Sequence, residues 1–228
     1  MKNIVLIPSY KPDKRLSQLV NSLNSVKDLM IMIVNNGNGQ EFNTNFHKIE
    51  KLDNIFICNI KTNRGKGYGI KKGIEEILKN HSGVKNIIFA DGDGQHTTGD
   101  IIKFHKELNN SNIVNTFLIG NRRHNFNTPK INLIGNKIYK ILFSLIRGIN
   151  INDSLCGLRA ISVTHSKKLL KMNNNDFAFE IECIIKLVKM NFNIKEIDIS
   201  STYFKDNKSN FQKFSDSLRL IKLLFKKY

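Results

Sequence analysis

Short apolar, mostly β-branched runs, each stopped by a turn-forming cluster, constrain this chain more than any other feature. Asn3–Ile7 ends at Pro8-Ser9-Tyr10, Met30–Val34 at Asn35-Asn36-Gly37-Asn38-Gly39, and Ile87–Ala90 at Asp91-Gly92-Asp93-Gly94. Ile55–Ile60 runs into the glycine-rich stretch Asn63–Gly69. Between these runs, Leu16, Leu19, Val20 and Leu23, and then Ile70, Ile74, Ile77 and Leu78, recur at helical spacing. Phe42, Phe46 and Ile49 suggest a further helix. Strands alternating with helices at this rhythm predict a mostly parallel α/β sheet with helices on both faces. Such a sheet collects its functional residues at the carboxyl ends of its strands.

The second half is less regular. Helices are expected over Asp100–Leu108, Ile131–Ile146, Phe179–Met190 and Ser215–Phe225, with strands at Phe117–Gly120 and Ile194–Ile199. Asp153–Ala160 reads as strand or loop. No repeat or linker divides the 228 residues, so a single domain over 1–228 is the expectation. No apolar run is long enough to span a bilayer, and Lys2 precedes a strand-length run rather than a signal segment. Cys58, Cys156 and Cys183 are scattered, which fits reduced thiols in a cytoplasmic protein better than a disulfide framework or a zinc site. Histidines other than His96 show no ligand spacing and are expected at the surface. The formal charge of +17 predicts attraction to polyanions such as phosphates or anionic lipid headgroups. Nucleic acid is not an expected partner, because no RNP, KH, zinc-finger or helix-turn-helix signature accompanies the charge.

Chemistry concentrates in Asp91-Gly92-Asp93-Gly94-Gln95-His96, directly after a strand. Carboxylates two apart on an extended chain point the same way. They suit Mg²⁺ or Mn²⁺, hard cations often held by a carboxylate together with substrate phosphates. An EF-hand is excluded, since the twelfth loop position carries no Glu.

Taken in order, Ile7-Pro8-Ser9-Tyr10, Val34-Asn35-Asn36-Gly37, Asn63-Arg64-Gly65-Lys66-Gly67, Asp91-Gly92-Asp93-Gly94-Gln95-His96 and Asp153-Ser154-Leu155-Cys156-Gly157-Leu158-Arg159-Ala160 carry a family resemblance. Phe179-Glu180-Ile181-Glu182 adds a sixth piece. The chain resembles family 2 glycosyltransferases of the GT-A fold, most closely the dolichyl- or polyprenyl-phosphate sugar synthases. The resemblance implies a Rossmann-like domain whose half up to about residue 120 binds a nucleotide sugar and whose remainder binds the acceptor. It implies inverting, metal-dependent transfer of a sugar from a GDP- or UDP-linked donor to a polyprenyl phosphate at the cytoplasmic face of a membrane. It assigns Pro8, Tyr10, Asn36, Asn63, Lys66, Asp91 and Asp93 to the donor, and Asp93 and Gln95 to a Mg²⁺ or Mn²⁺ ion. Asp153 and Asp93 become the catalytic residues, while Arg122, Arg123 and Lys130 become the acceptor-binding ones.

Asn35-Asn36 departs from the family's Asp-Asp, which leaves the nucleobase open. An amide oxygen still accepts a hydrogen bond. A sugar hydroxyl is the alternative acceptor, and a non-catalytic nucleotide-sugar binder the alternative to turnover. Two apolar and basic stretches, Ile131–Ile146 and the segment with Phe211, Phe214, Leu218, Ile221 and Phe225, are candidates for peripheral contact with anionic lipid.

Overall fold

The structure is a computed structural model describing residues 2–42, 46, 49, 52–110, 114–122, 130–200, 202 and 225. Seven strands form one sheet: β1 (Lys2–Ser9), β2 (Leu29–Asn36), β3 (Ile55–Ile60), β4 (Val84–Phe89), β5 (Thr116–Arg122), β6 (Arg159–Ser162) and β7 (Asn193–Ile199), in the order β3-β2-β1-β4-β6-β5-β7. All neighbours pair in parallel except β6, which is antiparallel to both β4 and β5. The consecutive buried residues Ile4–Ile7 and Ile31–Val34 show why: a strand covered on both faces is apolar without alternation.

The helices are α1 (Lys14–Asn24), α2 (Lys66–Asn80), α3 (Thr98–Asn110), α4 (Lys130–Arg147), the short α5 (Val163–Ser166) and α6 (Ala178–Lys189). Asp13 caps α1, its carboxylate accepting the Arg15 N–H at 2.8 Å. Leu16, Leu19, Val20 and Leu23 then face the sheet, as their spacing predicts. Gly69 and Gly73 bring the buried face of α2 close over β1 and β2, and Gly67 meets Phe179 of α6. Helix α1 also meets α3, and α2 meets α6.

Three sequence expectations change in detail. Asp153–Ala160 divides into a loop and a strand that starts only at Arg159. Of the helix expected through Phe42, Phe46 and Ile49, the described residues show a 3₁₀ turn at Gln40–Phe42 and Phe46 as helical, most of the rest lying outside the described residues. His105 is buried, not at the surface: Asn3 Nδ2 bonds its Nδ1 at 3.1 Å and Asn109 Nδ2 its Nε2 at 3.2 Å. His47 and His124 lie outside the described residues, as does the expected C-terminal helix apart from Phe225. The three cysteines are free, with Cys156 and Cys183 buried. No described helix is long and apolar enough to cross a membrane.

Glu182 anchors α6 to the loop before it. Its fully buried carboxylate accepts the Asn173 and Asn174 N–H groups, both at 2.9 Å, and Lys186 Nζ at 2.6 Å. Burial pushes this carboxyl up, but the hydrogen bonds from Asn173, Lys186 and Asn174 outweigh it and hold it below its ordinary value. A depressed carboxyl stabilises the fold above its unfolded value and loses that contribution as pH falls through the folded one. Glu182→Gln should therefore cost about 1–3 kcal/mol in urea unfolding at pH 7, and the gap to wild type should narrow below the ordinary value of 4.5. A gap independent of pH would refute this role.

Candidate active site at the carboxyl edge of the sheet

The site begins at the turn into α2. Gly65 has φ +103°, and a Cβ there would collide with the Asn175 carbonyl. This turn carries Lys66 across the edge, with Nζ 2.5 Å from Asp91 Oδ1 and 3.0 Å from Glu180 Oε1. Gly157 closes over the pair: a Cβ there would strike Asp91 Oδ2 and come within 3.0 Å of Lys66 Nζ. One ammonium thus gathers the α2 entry, the end of β4, the start of α6 and the loop before β6. Burial opposes the charge on Lys66, yet Asp91 and Glu180 hold its pKa above the ordinary lysine value. Burial likewise raises Asp91, but Lys66, then His96 and Arg122, bring it down to about 2.

Asp93 has the opposite environment. Burial and the neighbouring Asp91 charge raise its carboxyl, while the Gln95 N–H donates to its Oδ1 at 3.0 Å. The buried His96 accepts the Asp91 N–H through Nδ1 at 3.1 Å, so the neutral ring carries its proton on Nε2, and burial lowers its pKa. Lys66 is ion-paired with Asp91 and Glu180, and Asp93 adds a third, largely buried carboxylate beside Asp91, an excess of acids that fits a divalent cation. Among the described residues, no three His, Cys, Asp or Glu side chains gather closely enough to hold an ion alone. Such an ion would need oxygens from an anionic ligand, which is the Mg²⁺-like arrangement.

On the other side of β6, Asp153 is 1% exposed and ion-paired with Arg122. Arg122 Nε and Nη2 donate to separate Asp153 oxygens at 2.5 and 2.8 Å, and the Arg122 N–H reaches Oδ2 at 3.3 Å. Arg159 does not take part. It donates to the carbonyls of Cys156 (2.8 Å), Glu180 (2.5 Å) and Ser154 (3.0 Å), fixing the loop that holds Asp153 and Gly157. Lys130 opens α4, and Arg123 lies outside the described residues.

Towards β2, Asn36 is buried, and its Nδ2 donates to Asn63 Oδ1 at 3.2 Å and the Gly65 carbonyl at 3.1 Å. Both contacts are acceptors, which fixes the amide orientation and leaves Asn36 Oδ1 buried without a partner. Asn63 Oδ1 also takes the Gly65 N–H at 2.9 Å, so its side chain shapes the α2 turn. Pro8, next to last in β1, lies beside Asn36 and Gly69, and Tyr10 is exposed at the same edge. The structure thus links Lys66 to Asp91 and Asn36 to Asn63. It sets Arg122 against Asp153, and adds Glu180 and Gly157 to the cluster. Glu180 carried a motif signal but no specific role, because its partner lies over a hundred residues earlier in the chain.

Removing the central cation should expose the strain of these buried carboxylates. Lys66→Met should cost about 3 kcal/mol in urea unfolding at neutral pH, with part of that recovered in Lys66→Met/Asp91→Asn. Additive losses in the double variant would contradict a coupled pair.

Comparison with known proteins identifies the family and the fold. Residues 4–170 match the family model described as glycosyl transferase family 2. An uncharacterized protein of Methanocaldococcus jannaschii is 27% identical, the match covering 87% of this chain and 81% of that protein. The UDP-N-acetylglucosamine–dolichyl-phosphate N-acetylglucosaminyltransferase of Methanococcus voltae is 26% identical, covering 87% and 85%. Glucosyl-3-phosphoglycerate synthase of Mycobacterium tuberculosis, crystallised with Mn²⁺, UDP and glucosyl-3-phosphoglycerate, superposes with a TM-score of 0.71 at 11% identity, covering 98% of this chain and 78% of that one. The fold is GT-A, and the chain belongs to glycosyl transferase family 2.

Proposed function

We propose that this glycosyltransferase moves a sugar, with inversion, from a nucleotide-diphosphate sugar to a polyprenyl phosphate at a membrane surface. The observation that carries the acceptor is the Arg122–Asp153 pair. Transfer to a hydroxyl needs a base to take its proton. Both Asp153 oxygens already hold guanidinium hydrogen bonds, which disfavours Asp153 as that base. A phosphate arrives without a proton to lose: one of its oxygens attacks the anomeric carbon as the bond to the diphosphate breaks, and the nucleoside diphosphate leaves with the electron pair. In this reading Asp153 positions Arg122, which meets the acceptor phosphate together with Arg123 and Lys130. The N-acetylglucosaminyltransferase of M. voltae, whose name specifies dolichyl phosphate, supports the same acceptor class.

For the donor, Asn36 Oδ1 takes a base N–H, with Pro8 and Tyr10 framing the base. A single acceptor suits uracil, which presents one imide N–H, better than guanine, which presents adjacent donors. The UDP-sugar donor named for the M. voltae relative agrees with that choice. Asn63 holds the α2 turn under the donor, and Lys66 offers its charge to the diphosphate while Asp91 faces the ribose. Asp93 and Gln95 would hold a Mg²⁺ or Mn²⁺ ion, which when bound would supply Lewis-acid stabilisation to the leaving diphosphate.

Transfer should therefore require Mg²⁺ or Mn²⁺. Asp93→Ala should lower turnover by about a hundredfold or more without changing thermal unfolding of the free protein. Full transfer in excess chelator would defeat the metal role. For the acceptor, Arg122→Lys keeps the charge and loses the fork. It should raise the acceptor KM by about tenfold and leave the donor KM unchanged. Equal effects on both substrates would count against Arg122 as an acceptor group.

A further inference from the structure

Helix α4 has two apolar faces, and only one belongs to the core. Tyr139 and Phe143 are buried, whereas Ile138, Ile141 and Leu145 are 47%, 47% and 79% exposed. These three follow one another at i, i+3 and i+7 and form a stripe opposite the buried face. Lys137 and Lys140 are exposed beside the stripe. The helix sequence KINLIGNKIYKILFSLIR contains Lys130, Lys137, Lys140 and Arg147 and no acidic residue. Exposed aliphatic residues in a row, with lysines and no acid of the helix beside them, match an anionic lipid surface: headgroups meet Lys137, and the side chains enter the acyl boundary.

The helix is also tied to the acceptor side of the site. Lys140 Nζ donates to Asn152 Oδ1 at 2.6 Å, and Asn152 directly precedes Asp153, the partner of Arg122. We propose that the outward face of α4, with Ile138, Ile141, Leu145 and Lys137 at its centre, is the surface by which this protein docks on an anionic bilayer. Docking there sets the Arg122–Asp153 pair beside the membrane plane, where the phosphate of a lipid acceptor lies. This orientation rests on the lipid-phosphate reading above; the docking itself does not.

Full-length protein would be sedimented with phosphatidylglycerol–phosphatidylcholine vesicles and with pure phosphatidylcholine vesicles, at low and high salt. Wild type should partition onto the anionic vesicles and be released as salt rises. The double variant Ile141→Glu/Leu145→Glu should partition at least about tenfold less, because two acids replace the inserted side chains. Lys2→Glu, an equal change in net charge at the opposite end of the sheet, should partition as wild type does. Transfer to a short-chain, water-soluble polyprenyl phosphate should be unchanged in the double variant. Should that variant fail to unfold cooperatively on heating, Lys137→Glu takes its place with the same expected direction. The proposal is overturned if wild type ignores anionic vesicles at low salt, or if the substitutions on α4 weaken partition no more than Lys2→Glu. It is also overturned if the stripe instead joins two copies, seen as a dimer that Ile141→Glu/Leu145→Glu dissolves without any vesicle binding. Vesicle binding that depends on α4, with no transfer to any polyprenyl phosphate, would uphold the docking surface and remove the acceptor reading.

Discussion

The reversed direction of β6 is the constraint on which the site depends. Arg159, its first residue, pairs with Phe89 of β4 and with Ile119 of β5. A parallel strand in that slot would begin at the far edge of the sheet. Running antiparallel, β6 instead starts where β4 and β5 end, so the loop before it emerges between Asp91 and Arg122. Gly157 can then rest on Asp91, and Asp153 can meet Arg122 from the other side. Arg159 secures the loop by donating to the Cys156 and Ser154 carbonyls, which no sheet partner reaches, and ties it to α6 through the Glu180 carbonyl.

Charge arranged this way is expensive to bury and useful to keep. Asp91 and Glu180 meet at Lys66 with Asp93 close to Asp91, and a buried carboxylate without a cation is strongly disfavoured. The raised carboxyl of Asp93 and the unpartnered oxygen of Asn36 mark two places where the protein alone leaves polar groups incompletely satisfied. In the proposed function, a divalent cation and a nucleobase complete them. A ligand that supplies missing partners binds tightly for the same reason that the empty arrangement costs stability.

Much of this was legible in the sequence. The apolar runs at Asn3–Ile7, Met30–Val34 and Ile87–Ala90 are central strands because both their faces are buried, and that leaves a local signature. The Asp91–His96 motif and the glycine loop before Lys66 were equally readable, since their chemistry is contiguous. What local pattern could not reveal was pairing across long separations. Arg159 lies close to Asp153 in sequence and Arg122 31 positions away, yet the antiparallel register of β6 makes Arg122 the partner. His105 reads as a surface residue until Asn3, a strand residue 102 positions earlier, is placed against it. The outward stripe on α4 was readable as periodicity, but which of its apolar faces the core covers is decided by packing alone.

The product of the reaction tests the central claim most directly. Full-length protein would be incubated with Mn²⁺, a UDP-sugar and an equimolar mixture of a short polyprenyl phosphate and a lipid-linked saccharide bearing free hydroxyls. Phosphorus and proton NMR of the product would then identify the new linkage. The account predicts a sugar joined through a phosphodiester to the polyprenyl phosphate, with the anomeric configuration opposite to that of the donor. A sugar joined to a hydroxyl of the saccharide, with the polyprenyl phosphate unchanged, would contradict it.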